Sequence, residues 1–359
     1  MTRVRAPYME WAKSRPKPAI DLAGSNLDPC RLGDLPGARE ALDLAGESPD
    51  GYAPLVEAIA AAHGVSSDRV ATGSGCSGAT FLACAALVEP GDEVLVESPF
   101  YDPMPAAARL LGAEVRTFDR SFEDGWDVDP DRVAAALTPR TRLVMVSNPH
   151  NPSGTLARAE SLRALGELAL RRGIAVLVDE VYRDTVFDGR PAPAATLSPA
   201  FVSVSSLTKA YGLASLRCGW TIATPEWTRR IRRARDLVDV WAPIPSDRLS
   251  VVAFRHLGAL EDRARAIVLA NQAAIASFLA TRADLVCAPP RSTLAFPRLV
   301  GVDDCGHFVE RLFTATRTAV APGRFFGAAA HFRIAFGGAP QSVAAGLASI
   351  ANHLDTPAP

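Results

Sequence analysis

Between Glu93 and Ala223 one pattern recurs: a short apolar run, several of them rich in Val, bounded by Pro, Gly or Asp and followed by a helix-length stretch. The strand-length runs are Glu93–Glu97, Glu114–Phe118, Thr141–Ser147, Ile174–Asp179, Phe201–Ser205 and Cys218–Ala223. Helices are expected among them at Gly78–Val88, Met104–Leu111, Pro130–Ala136, Arg158–Arg172 and Pro225–Val240. Strands that alternate with helices and are apolar on both faces belong in a mainly parallel sheet covered on each side. The expected fold class is therefore α/β, with a three-layer large domain.

From about Arg248 the rhythm changes. A long helix is expected over Leu249–Thr281. Short strands follow near Leu285–Ala288, Leu294–Leu299, Ala319–Ala321 and Phe332–Phe336, and a closing helix fits Gln341–His353. This is an α+β pattern. The first residues, to about Leu44, precede the first clear βα unit and are expected to pack with it. The smaller domain is then discontinuous, 1–44 with 248–359, beside a large domain of 45–247. A length of 359 residues suits two domains.

The net charge of −1 gives no reason to expect nucleic acid or an anionic membrane as partner. Six cysteines include no CxxC pair and no Cys/His spacing of the zinc type, so no metal is expected and the thiols are read as reduced. The opening MTRVRAPYMEWAKSRPKP lacks the apolar stretch of a signal peptide. No run approaches the roughly 20 apolar residues of a membrane helix. A cytoplasmic protein is expected.

Four segments, each at a strand end or in a loop, carry chemistry. Ala71–Gly78 (ATGSGCSG) is rich in small residues and opens into a helical run. Main-chain N–H groups at a helix start favour an anion, and Gly75 lets the backbone come close to one; an ordinary loop is the alternative. Ser147–Gly154 (SNPHNPSG) holds two Asn-Pro steps, which enforce a rigid turn and fix the direction of Asn151. Asp179 closes the apolar run Val176–Val178, with Tyr182 three residues on; a carboxylate at such a strand end either meets a cation or caps the next turn. The fourth segment runs from Ser203 to Trp220 and contains Ser206, Lys209 and Arg217.

Lys209 is the only lysine after Lys17, in a chain that uses arginine freely. Guanidinium stays protonated at any working pH, whereas a lysine amine can lose its proton and attack a carbonyl carbon. A lysine kept against the bias is a candidate for imine chemistry, and neighbouring Arg217 would lower its pKa and supply an anion ligand.

In this order and spacing, Asn148–Gly154, Asp179–Tyr182 and Ser206–Arg217 resemble the class I and II aminotransferases, fold-type I enzymes that use pyridoxal phosphate. The resemblance spans about Ile20 to His353. It implies that Lys209 bonds to the cofactor aldehyde and then moves a proton between the substrate Cα and the cofactor. It implies that Asp179 pairs with the pyridine nitrogen, and that Asn151 and Tyr182 donate to the ring oxygen. Tyr101, or its neighbour Phe100, would stack on the ring. Gly75, Cys76 and Ser77, with Ser206 and Arg217, would hold the phosphate. Arg333 would clamp the substrate carboxylate, with Gly24 and Asn26 passing over the substrate.

Two departures stand out. The position of a tyrosine that reaches the partner subunit's phosphate in many relatives holds Gly46, with Tyr52 displaced. A glycine pair before a C-terminal strand is replaced by Pro290–Pro297 (PRSTLAFP). The resemblance implies a homodimer that exchanges an amino group between an α-amino acid and a 2-oxo acid. The same cofactor frame also serves lyases and cyclases, and a non-catalytic effector-binding module is a further alternative.

Overall fold

The computed structural model describes residues 4–356. Strand β1 (Ile20–Asp21) is followed by β2 (Val70–Ser74), β3 (Glu93–Ser98), β4 (Glu114–Asp119), β5 (Thr141–Ser147), β6 (Ala175–Asp179), β7 (Phe201–Ser206) and β8 (Cys218–Ile222). Strands β2 to β8 form one seven-stranded sheet in the order β2-β8-β7-β6-β5-β3-β4. The links among β3 to β7 are parallel, and β8 runs against both its neighbours.

The apolar runs explain the layering. Leu143 and Met145 of β5 pack with Ala175 and Leu177 of β6 on one face of the sheet. Val144 and Val146 pack with Val176 and Val178 on the other. Burying each such side chain stabilises by roughly 1.5–3 kcal/mol, so both faces must be covered. Helices Gly75–Leu87, Pro103–Leu110 and Pro225–Asp236 cover the first face through Leu82, Ala107 and Ile231. Helices Pro130–Ala136 and Ala159–Arg172 cover the second through Val133, Leu162 and Leu165.

The rest of the chain adds β9 (Leu285–Val286), β10 (Leu294–Ala295), β11 (Arg298–Leu299), β12 (Thr318–Ala319), β13 (Ala321–Pro322) and β14 (Phe332–Ala335). Strands β10, β14 and β13 form an antiparallel sheet, β9 pairs with β11, and β1 lies parallel to β12 with Ile20 opposite Thr318. Leu22 joins Phe308, Phe332, Ile334, Phe336 and Leu347 in one apolar cluster.

Several expectations change. Ala71–Gly78 is not a loop: its first residues belong to β2, and the helix already starts at Gly75. The long helix is two, Ile244–Arg255 and Leu257–Ala280, divided at His256, where no Gly or Pro marks the break. Leu294–Leu299 divides into β10 and β11. An N-terminal helix, Pro7–Ser14, was not expected at all; its Pro7 sits where a missing N–H costs nothing.

Candidate active site

The register of the sheet gathers the chemistry. Ser147 at the end of β5 lies opposite Asp179 at the end of β6, which lies opposite Val204 of β7. The Asn148 N–H donates to the Asp179 carbonyl at 2.8 Å. The Asn151 N–H donates to Ser147 Oγ at 2.9 Å, and the Ser147 N–H donates to Glu97 Oε1 at 2.8 Å. Glu97 in turn pairs with Arg120 at 2.6 Å, both side chains being fully buried. The turn that aims Asn151 thus rests on an ion pair under the sheet ends. Gly154 closes this turn at φ +75°, where a side chain would overlap the Leu294 carbonyl. That places the Pro290–Pro297 stretch directly against the Asn151 turn. His150 is satisfied at both ring nitrogens, by Ser153 Oγ at 2.7 Å and the Pro99 carbonyl at 2.9 Å. Burial holds its pKa well below the ordinary value, so it is a neutral structural group.

A cavity of about 360 Å³ opens above these strand ends. Its walls include Gly24, Asn26, Cys76, Ser77, Tyr101, Asn151, Asp179, Tyr182, Ser206, Lys209 and Arg217. Gly75 and Arg333 lie behind the wall. A larger groove, about 740 Å³ around Phe118–Trp126, holds none of the expected residues.

Lys209 lies on the short turn Thr208–Tyr211 that follows β7. Its Nζ donates to Asn26 Oδ1 at 2.8 Å and to Ser25 Oγ at 3.1 Å. Enclosure in the protein and then the positive charge of Arg333 depress the amine to about 8, with Asp179 pulling the other way. Tyr211, two residues on, anchors the turn by donating to Asp184 at 3.1 Å.

Asp179 Oδ1 accepts from the Val181 N–H at 3.0 Å and from the Cys76 thiol at 3.4 Å. Among the described residues it has no ion-pair partner. Enclosure raises its carboxyl above the ordinary range, against the pull of those two hydrogen bonds and of Lys209. A carboxylate so placed fits a protonated ring nitrogen.

Asn151 Oδ1 accepts from Arg333 Nη1 at 2.9 Å, which leaves the Asn151 amide to donate into the cavity. The Tyr182 hydroxyl donates to Ser25 Oγ at 2.8 Å. Arg333 is 0% exposed. Its Nη2 donates to the Tyr8 hydroxyl at 2.6 Å and to the Ala23 carbonyl at 2.9 Å, while Nε has no partner. Among the described residues it has no carboxylate partner. Its charge sits over the rings of Tyr8 and Phe326, at 5.0 and 4.8 Å. Arg333 does not itself line the cavity; its partner Tyr8 does.

At the other end, the first turn of Gly75–Leu87 faces Arg217. The Gly75 N–H donates to the Arg217 carbonyl at 2.7 Å. A side chain at Gly75 would overlap the Arg217 guanidinium, and one at Gly219 would overlap the Gly75 main chain. Arg217 Nη2 donates to the Ser74 carbonyl at 3.2 Å. The Ser206 oxygen accepts from the Thr208 N–H at 3.3 Å, leaving its proton for the cavity. Helix-start N–H groups, a guanidinium and a free hydroxyl make a fitting cradle for a phosphate. Gly219→Ala is expected to push β8 from this helix start, destabilising the fold by about 1–3 kcal/mol and weakening phosphate binding; thermal melts with and without inorganic phosphate check both.

Two residues escaped the sequence. Tyr8 packs edge-on to Tyr101 at 5.8 Å between ring centres, and Ser25 bridges Lys209 and Tyr182. The Tyr101 hydroxyl meets Met9 Sδ at 3.3 Å. The proline at the start of Pro7–Ser14 would have located the helix, but no local signal ties Tyr8 to Arg333.

Residues 45–350 match the family model for aminotransferase class I and II. Capreomycidine synthase of Streptomyces vinaceus is 33% identical over 291 residues, 80% of this chain and 75% of that protein. A probable N-succinyldiaminopimelate aminotransferase of Mycobacterium tuberculosis is 34% identical over 197 residues, 52% of this chain but only 50% of that one. A PLP-dependent aminotransferase structure from Streptococcus suis superposes with a TM-score of 0.92 over 100% of both chains, at 24% identity, a likeness of fold. The lysine on its turn after β7, the carboxylate at the end of β6 and the anion cradle at Gly75 all lie inside the matched region. The chain belongs to the class I and II aminotransferase family.

Proposed function

We propose that this protein is a pyridoxal phosphate-dependent transaminase that exchanges an amino group between an α-amino acid and a 2-oxo acid. One observation carries the site assignment: a depressed lysine amine and an unpaired, enclosed carboxylate share one cavity wall with an anion cradle. Bound pyridoxal phosphate supplies an electrophilic aldehyde and a ring that holds the electron pair left when a bond at the substrate Cα breaks. In this reading Lys209 holds the aldehyde and, once free, carries the proton at Cα. Asp179 keeps the ring nitrogen protonated, and the Asn151 amide and Tyr182 hydroxyl hold the ring oxygen. Tyr101, on the cavity wall, would stack on the ring. The N–H groups of Cys76 and Ser77, with Ser206 and Arg217, grip the phosphate, and the lack of a side chain at Gly75 makes room for the Arg217 guanidinium beside it. Arg333, backed by Asn151, takes the substrate carboxylate, with Gly24 and Asn26 above it.

Further proposals accompany this one. The small domain comprises 1–44 and 248–359, beside 45–247; the pairing of Ile20 with Thr318 supports that grouping. The protein is a homodimer. Leu237, Val238, Val240 and Trp241 expose apolar side chains, and the adjoining Ala242 and Pro243 share a hollow with Arg217. Tyr52 lies half-buried in its own subunit's core with Arg248 over its ring, so it is not proposed as a cross-subunit phosphate ligand. Cysteine usage supports the cytoplasm; no helix among the described residues is long and apolar enough to cross a membrane.

The test is a half-reaction. Amino acid added to the loaded enzyme without a 2-oxo acid is expected to abolish the visible cofactor absorbance lastingly, and a 2-oxo acid to restore it. Spontaneous return without acceptor would favour the second reading, a lyase or cyclase on the same frame. That reading has one specific support: the synthase relative is 33% identical over 80% of the chain.

The depressed amine also predicts a pH profile. Only the unprotonated amine attacks an aldehyde, so capture of pyridoxal phosphate by the cofactor-free protein should rise with pH. Its midpoint should lie near 8, not near the ordinary 10.5. Arg333→Gln removes a positive charge and should move the midpoint upward. Stopped-flow absorbance from about pH 6 to about pH 11 reads this out.

A further inference from the structure

Asp102 sits beside the cavity without lining it; Tyr101 and Pro103, on either side in sequence, are part of the wall. Asp102 is 7% exposed. Its Oδ1 is buried with no partner among the described residues, and its Oδ2 accepts the Tyr8 N–H at 2.8 Å. Enclosure raises the carboxyl to about 6; the Tyr8 bond opposes the rise, as do Arg109 and Arg333, and Glu10 adds to it. A carboxylate enclosed with a single hydrogen bond is costly to keep. What it gives in return is a hold on the N-terminal helix.

Tyr8 is the second residue of Pro7–Ser14. The first N–H groups of a helix have no partner within it, and a side-chain oxygen at the N-cap ordinarily accepts from one. Here the N-cap is Ala6, which has no such oxygen, and Pro7 has no N–H. The Tyr8 N–H is therefore the first free donor. Asp102 caps it from 94 positions away, with a negative charge at the positive end of the helix. Among the described residues this is the only main-chain hydrogen bond from the helix to the rest of the protein. Trp11 against Phe325 and Tyr8 against Phe326 also hold the helix, each pair at 5.4 Å between ring centres. Apolar contacts are non-directional and tolerate slippage. The Tyr8 hydroxyl does not tolerate it: it accepts from Arg333 Nη2 at 2.6 Å, and Arg333 Nη1 donates to Asn151 Oδ1 at 2.9 Å.

We propose that Asp102 is a positioning residue for the substrate carboxylate. By fixing the Tyr8 main chain it sets the Tyr8 hydroxyl, and through that hydroxyl it sets the Arg333 guanidinium. Asp102 touches neither substrate nor cofactor and acts along this chain of contacts. The inference rests on the Arg333 assignment above and deepens it.

The experiment titrates the pyridoxal phosphate-loaded enzyme with propanoate, an unreactive carboxylate, and with propanamide, its uncharged analogue, and follows cofactor absorbance. Asp102→Ala is expected to weaken propanoate binding about tenfold, the scale of one lost hydrogen bond. Binding of propanamide and of pyridoxal phosphate should stay within about threefold of native, since neither uses the Arg333 charge. Asp102→Asn keeps an acceptor for the Tyr8 N–H and should bring propanoate binding back to within about threefold of native. Tyr8→Phe breaks the next link, so adding Asp102→Ala in the Tyr8→Phe background should cost about twofold or less, where independent sites would add in full. Native propanoate affinity in Asp102→Ala, no rescue by Asp102→Asn, or full additivity with Tyr8→Phe would each overturn the proposal. An equal loss for propanoate, propanamide and pyridoxal phosphate would overturn it too, by making Asp102 merely structural. Where Asp102→Ala fails to fold, Asp102→Val, which fills the site with carbon, must show the same selective loss. Arg333→Gln tests the underlying clamp by itself: unchanged propanoate binding there rejects the Arg333 assignment, whereas a loss there with none in Asp102→Ala rejects only the role of Asp102.

Discussion

Lys209→Arg is expected to lower the rate of amino-group exchange by about 10⁴-fold or more, at the upper end of what a positioned acid–base group contributes. The substitution keeps the positive charge and nearly the length, beside Ser25 and Asn26, which now accept from Nζ. What it removes is the neutral amine. In the native protein, enclosure and Arg333 bring that amine to about 8, so a useful fraction is unprotonated near neutrality. Guanidinium has no such fraction. The phosphate cradle at Gly75 and Arg217 is untouched, so the variant should still bind pyridoxal phosphate but should not be trapped by borohydride. Mass spectrometry after reduction separates the outcomes: a reduced adduct on any residue other than 209 in the native protein would dismantle the site assignment.

Asp179→Ala is expected to weaken pyridoxal phosphate binding by roughly 3–5 kcal/mol, the usual cost of removing one partner of an enclosed ion pair. That corresponds to some hundredfold to several thousandfold in affinity. Asp179 makes no ion pair with the protein among the described residues, and its two hydrogen bonds come from a thiol and a main-chain N–H. Its loss therefore leaves no buried cation behind in the cofactor-free protein, and the melting temperature without cofactor should change little. Equilibrium dialysis and thermal melts with and without cofactor test the two halves together. A large loss of stability in the absence of cofactor would mean that Asp179 is a structural carboxylate.

The central sheet was legible because five of its inner strands are buried on both faces, and apolar runs of that kind have few other uses. Each sequence-expected strand from Glu93 to Ala223 falls within one residue of the observed one at either end. Strand β2 was not legible. Val70–Ser74 is built from small residues, and its Gly73 is there because Ala79 of the following helix comes within contact distance of where a side chain would be. The break at His256 falls where the sequence has neither Gly nor Pro, two residues before Gly258. The site divides the same way. Asn151, Asp179 and Lys209 stand at neighbouring strand ends, so local pattern and sheet order suffice to bring them together. Tyr8 meets Arg333 across 325 positions of sequence, through tertiary packing alone.

The cavity has a floor and a roof of different origin. Its floor is fixed by main-chain ladders at the ends of β5, β6 and β7 and braced from beneath by Glu97 and Arg120. Its roof is a short helix, Pro7–Ser14, outside the central sheet. Tyr8 on that roof holds Arg333, which in turn holds Asn151, so a change in the roof is transmitted to the turn below it.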